Sequence, residues 1–98
     1  MFVRVNQVRF KPGMAEAARA IAKNELIPLM KSMKGFKHWY AIQSIHDPDM
    51  GLSIGFWDSQ ADFERARMEE RYLDSVRKMR NLYVEPPTDR YYEVKLQS

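Results

Sequence analysis

The chain contains no cysteine. Disulfides, thiolate nucleophiles and cysteine-based zinc sites are therefore excluded, and so is a small scaffold held together by cross-links. Neither sign of charge is in large excess, with 16 lysines and arginines against 13 aspartates and glutamates and a net charge of +3. The cations are interleaved with acids rather than gathered into a run, which gives no support to a nucleic-acid-binding surface. No apolar stretch approaches the ~20 residues that a membrane span requires, and the opening MFVRVNQVRF lacks the apolar centre of a secretory signal. No membrane partner is expected, and a cytoplasmic location is. Only four glycines occur, and none forms a phosphate-cradling loop, a dinucleotide fingerprint or a G-x-S-x-G turn, so nucleotide and serine-hydrolase chemistry have no footing.

What is present suits one globular domain over residues 1–98, with 45% hydrophobic and 30% charged residues placing the chain outside the disordered class. A domain of this size removes only ~60–65% of its unfolded surface from water, so a second subunit would add usefully to its stability. FVRVNQVRF, residues 2–10, alternates strictly. Phe2, Arg4, Asn6, Val8 and Phe10 share one strand face, while Val3, Val5, Gln7 and Arg9 share the other. KPG at 11–13 stops the strand. Over residues 14–33, Ala18, Ile21, Ala22, Leu26, Leu29, Met30 and Met33 recur at helical spacing. Pro28 lies inside that run, lacks an N–H and crowds the carbonyl of Asn24, which predicts a kink or a restarted helix.

FKHWYAIQSI (36–45) and LSIGFW (52–57) read as a hairpin joined by HDPDMG. Ser59, with Asp62 three residues on, predicts a capped helix start. Phe63 and Ala66 then form one stripe and Tyr72, Leu73, Val76 and Met79 a displaced one, so a bend is expected at MEER. Asp74 and Lys78 stand in the favourable order for an i,i+4 ion pair. RYYEVKL (90–96) alternates as a final strand. The order β-α-β-β-α-β defines an α+β, ferredoxin-like fold with a four-stranded antiparallel sheet and both helices on one side. Its other side should carry Val3, Val5, Trp39, Ala41 and Ile45. Nothing else in the chain covers that apolar face, so a homodimer is expected.

From NQVRFKPG through GFKHWYAIQSIHDPD to GFWDSQADFE, the chain resembles the antibiotic biosynthesis monooxygenase family of dimeric α+β barrels. The most specific piece is the third-strand Trp57 followed by Asp58, Ser59 and Phe63. The resemblance implies a pocket between the sheet and the second helix, and a homodimer formed sheet to sheet. It also implies a monooxygenase that oxidises a small aromatic quinol or phenol with O2 and needs no metal or organic cofactor. The alternative is a non-enzymatic dimeric protein that binds or senses a small ligand on the same scaffold. The haem-degrading branch of the family has an Asn on the first strand, a Trp nine residues after the third-strand Trp and a His ten further on. Asn6 fits the first position, but Ala66 and Val76 occupy the others, so haem degradation is disfavoured for want of an axial imidazole. Haem binding through His38 is left as a minor alternative.

Asn6 would hold a substrate oxygen, or else satisfy a backbone group at the sheet. His38 shares a face with Phe36, Tyr40 and Ile42 if alternation is unbroken; it is the best available base, or a structural histidine. Trp57 and Phe63 would shape the cavity or simply plug the core. Tyr40, Met68 and Tyr72 are further lining candidates, and Arg67 or Arg77 could meet an anionic oxygen. His46, Asp47 and Asp49 have metal-ligand chemistry, but Asp before Pro and a following Gly51 make turn formation the better reading, and no metal is expected.

Overall fold

The computed structural model describes residues 1–98. Four strands, β1 (Phe2–Arg9), β2 (Phe36–Gln43), β3 (Met50–Trp57) and β4 (Thr88–Glu93), form one sheet in the order β2-β3-β1-β4. All neighbours are antiparallel. The crossover from β1 to β2 skips over β3, and that from β3 to β4 skips over β1, so the topology is the expected split β-α-β. The four strands start or stop within a few residues of the sequence expectation. β4 begins two residues earlier than RYYEVKL suggests and ends at Glu93.

Between β1 and β2 the chain forms α1 (Ala15–Ile21), a π-helical segment (Ala22–Leu26) and α2 (Ile27–Lys31). Pro28 acts as predicted, but the adjustment falls before it. Because the proline ring has no N–H and would crowd the preceding turn, the backbone widens there, and the Ile27 N–H reaches back five residues to the Ala22 carbonyl. The second crossover is α3 (Gln60–Ala66) and α4 (Glu70–Arg80), broken at residues 67–69 where the bend was expected. Ser59 caps α3: its Oγ accepts from the Asp62 N–H at 3.2 Å. The Asp62 side chain occupies the space where a Cβ of Gly35 would stand, and Gly35 has φ +83°, so no other residue fits that turn without strain. The expected Asp74–Lys78 pair does not form. Asp74 pairs with Arg77 at 2.8 Å, while Lys78 reaches Glu25 on the π segment at 3.0 Å, tying the two helical layers together.

The core lies between the sheet and the helices. Trp57 is its centre, 1% exposed, edge-on to Phe36 at 5.3 Å and 5.9 Å from Phe63. Leu26, Leu29, Met30 and Met79 come to it from the helices. Each such side chain contributes ~1.5–3 kcal/mol by leaving water.

One irregularity changes how β2 is read. Phe36 pairs with Trp57, but His38, not Lys37, pairs with the next β3 residue, Phe56. Lys37 is the extra residue of a β-bulge, and alternation inverts beyond it. Two expectations are corrected as a result. His38 and Tyr40 do not follow Phe36 toward the helices; they lie on the open face with Val3, Val5, Ile54 and Phe56. Trp39 and Ala41, expected on the open face, turn under the helices instead. Ile45 belongs to neither, since it lies beyond the strand and is 92% exposed.

Candidate functional site

The site is best approached from β3. Its helix-facing residues before Trp57 are Gly51, Ser53 and Gly55, a row of small side chains in the middle of the sheet. Large neighbours on both flanks cannot fully close over such a row, and two adjoining hollows remain beneath the helices. One, of about 40 Å³, is mostly apolar and lies between Val8, Phe10, Ala18, Ala22 and Ala41. The other, of about 30 Å³, is polar and lies between Arg4, Asn6, Leu26, Tyr72, Val76 and Arg80. Trp39, Ser53, Met79 and Tyr83 border both. Each has room for water, which needs roughly 10–15 Å³ on a comparable measure.

The polar hollow is organised by Arg4. Its side chain is 15% exposed; Nη2 donates to Asp89 Oδ1 on β4 at 2.9 Å and Nη1 to the Tyr72 hydroxyl at 3.3 Å. The guanidinium also lies over the Phe63 ring, 5.2 Å from its centre. Its Nε is buried with no partner. One alternation along β1, Asn6 is 7% exposed, and its Oδ1 is likewise buried and unpartnered. A buried donor and a buried acceptor left open on two residues that line one hollow are costly unless something in the hollow meets them. The tyrosines are held as neutral phenols. Burial raises the Tyr72 hydroxyl above its ordinary value, with Arg4 opposing. Burial also pushes Tyr83 up to about 12, against the pull of Arg4 and Arg80. The hollow thus offers one fixed cation, one amide and two phenols, with apolar walls.

Of the candidates read from the sequence, Asn6 and Tyr72 meet here. Trp57 and Phe63 sit in the core and line neither hollow. His38 and Tyr40 are across the sheet, for the reason given by the bulge, and pack with Phe56 on the open face at ring distances of 6.1–6.4 Å. Met68 is 74% exposed, because it falls in the break between α3 and α4. Arg67 donates to the Tyr91 hydroxyl at 2.8 Å on the outer surface, and Arg77 is taken by Asp74. In the hairpin turn, Asp47 Oδ1 accepts from the Asp49 N–H at 3.1 Å and its Oδ2 pairs with Arg9, so those carboxylates build the turn. Sequence reasoning passed over Arg4, Ser53 and Tyr83. A signal for Arg4 existed: alternation puts a charged residue on the same face as Phe2 and Val8, where a buried cation requires partners.

An α+β sheet with a split crossover and a hollow under its second helical unit defines the class. Residues 1–78 match the antibiotic biosynthesis monooxygenase family, and the chain belongs to that family. Among solved structures, the chain is similar to a Nitrosomonas europaea protein described as a putative antibiotic biosynthesis monooxygenase. The two share 17% identity and a TM-score of 0.86, over 98% of this chain and 100% of that one. It is similar to SnoaB of Streptomyces nogalater, a cofactor-independent oxygenase, at 14% identity and a TM-score of 0.85, over 98% and 94% of the two chains. A conserved protein from Methanosarcina mazei Go1 aligns at 13% identity and a TM-score of 0.87, over 96% and 92%. At these identities the likeness to solved structures concerns the fold. No curated protein matches the chain in sequence.

Proposed function

We propose that the protein is a homodimeric monooxygenase that oxidises a small aromatic quinol or phenol with O2, without metal or organic cofactor. The observation that carries this reading is the unpartnered Arg4 Nε and Asn6 Oδ1 in the polar hollow of a monooxygenase-family fold. An electron-rich phenol supplies its own reducing power, so the protein has to hold the ring, exclude water and favour the anion. Arg4 would stabilise the phenolate. The anion passes one electron to O2, the radical pair recombines at a ring carbon as a hydroperoxide, and loss of water leaves a carbonyl at that carbon. The substrate gives up four electrons and O2 accepts all four, one oxygen atom ending in the carbonyl and the other in water, so nothing else is consumed. Met79, shared by both hollows, is flexible enough to move aside and join them into one slot for a ring.

The homodimer is supported by the open face, where Tyr40 is 53% exposed, Ile42 48% and Tyr92 53%, beside Ile54 and Phe56. A second copy set sheet to sheet would cover this surface. Oxygen-electrode measurements with a panel of hydroquinones and anthrone-like compounds test the activity. The reading predicts protein-dependent O2 uptake in step with product, and consumption no faster than the uncatalysed rate across the panel would overturn it. A second reading, a ligand-binding protein without turnover, is favoured by one fact: neither an imidazole nor a carboxylate lines the hollow. It predicts a raised melting temperature with ligand and no product.

A further inference from the structure

The two unpartnered atoms in the polar hollow ask for opposite things. Arg4 Nε–H needs an acceptor, and Asn6 Oδ1 needs a donor. They belong to residues two apart on one strand, so their backbones stand ~7 Å from each other and their side chains reach into the same space. A lone phenolate would satisfy the guanidinium and leave the amide oxygen facing a negative charge. A neutral hydroxyl would serve both, but the hollow is bordered by two cations, Arg4 and Arg80, and only Arg4 has a carboxylate partner, Asp89. Two neighbouring oxygens on one ring, one ionised and one still carrying its proton, answer both atoms at once. The surroundings accept that charge: Tyr72 and Tyr83 stay neutral, and the Asp89 carboxylate is already neutralised by its pairing with Arg4 Nη2. Arg80 at the rim adds a second positive charge. The narrowness of the hollow sets the size, since room of about 30 Å³ beside about 40 Å³ extends to a single ring more readily than to a fused tricycle.

We infer that the site selects the monoanion of a single-ring arene bearing two adjacent oxygens, with the ionised oxygen on Arg4 and the remaining hydroxyl donating to Asn6. This deepens the reading of the hollow as the substrate site and rests on it, but it concerns binding and does not require turnover.

The probes are 4-nitrocatechol, whose anion is coloured and whose nitro group makes the ring resistant to oxidation, and its 2-methoxy analogue, which keeps the ionisable hydroxyl and loses the second O–H. Titrations without O2, near neutral pH, should show the intact protein binding nitrocatechol several-fold more tightly than the ether. Asn6→Ala should abolish that preference, because only nitrocatechol donates to the amide. Arg4→Lys keeps a charge for Asp89 but removes Nε, and should weaken both probes by about tenfold or more, as expected for a hydrogen bond to an ion. Circular dichroism and melting curves show whether each variant is folded; if Arg4→Lys is not, the preference of the intact protein and its loss in Asn6→Ala still decide. Equal affinity for the two probes, a preference that survives Asn6→Ala, or no saturable binding because the space holds only a bridging water would each overturn the inference. Selective binding together with no O2 uptake from any quinol would leave it standing and remove the oxygenase reading.

Discussion

The two faces of the sheet are built from the same four strands, yet they are chemically unlike. Under the helices, β1 and β3 offer Arg4, Asn6, Ser53 and two glycines beside a tightly packed aromatic core. On the open side, the same strands offer Val3, Val5, Ile54 and Phe56, and β2 adds His38 and Tyr40. One face buries polar atoms that lack partners, and the other exposes apolar side chains that lack cover. The difference teaches that polarity alone does not locate a site. The only histidine on the sheet lies on the face suited to a partner subunit, while the unpartnered polar atoms lie where a small molecule would be shielded from water.

The sharpest way to break this contrast is to damage the core that supports the hollow. Phe63→Ala removes a ring that stacks on Phe2, meets Trp57 and carries the Arg4 guanidinium, and should cost about 3–5 kcal/mol in denaturant unfolding. A charge on the opposite face should act differently. Ile54→Glu should leave the monomer folded and raise the dimer dissociation constant by about a hundredfold or more, read by sedimentation, because an unpaired carboxylate would be buried between the sheets. If this variant unfolds as Phe63→Ala does, the open face is part of the core rather than an interface.

Tyr83 gives a smaller and pH-dependent effect. Its phenol is raised to about 12 in the folded chain from an ordinary value of 10.0. Its contribution to stability is therefore complete below about pH 10, and it is lost as pH rises toward 12, because the unfolded chain gives up the proton first. Tyr83→Phe should make the alkaline fall in stability shallower between these limits, by about 2 kcal/mol at the upper end. Melting curves at pH 9, 10, 11 and 12 check the sign. The smallest effect belongs to His38→Ala. With the imidazole across the sheet from Arg4, nitrocatechol binding should change by less than twofold, and a tenfold loss would reconnect the two faces.

Much of the fold was legible because it rests on local signals. Alternation in FVRVNQVRF, the Ser59 cap and the charged break at MEER each name their own element. The register of β2 was not legible in the same way. A single inserted residue at Lys37 reverses every side chain after it, and a run such as FKHWYAIQ alternates plausibly in either phase. The conflict was present all the same: the expected phase put the large apolar Trp39 outside and the polar-tipped His38 and Tyr40 inside. At the site, Asn6 and Tyr72 could be reached from periodicity. Arg4 could not be weighed until Asp89, 85 residues away in the chain, was seen to hold it.

The claim at the centre of this account is that the ligand lies beneath the helices against Arg4, and not on the open sheet. A crystal structure of the protein grown with 4-nitrocatechol tests it directly. The account predicts the ring between Trp39 and Met79, with one oxygen within ~2.7–3.2 Å of Arg4 Nε and the other beside Asn6. A ring lodged beside His38 and Tyr40, with the hollow still closed, would contradict it.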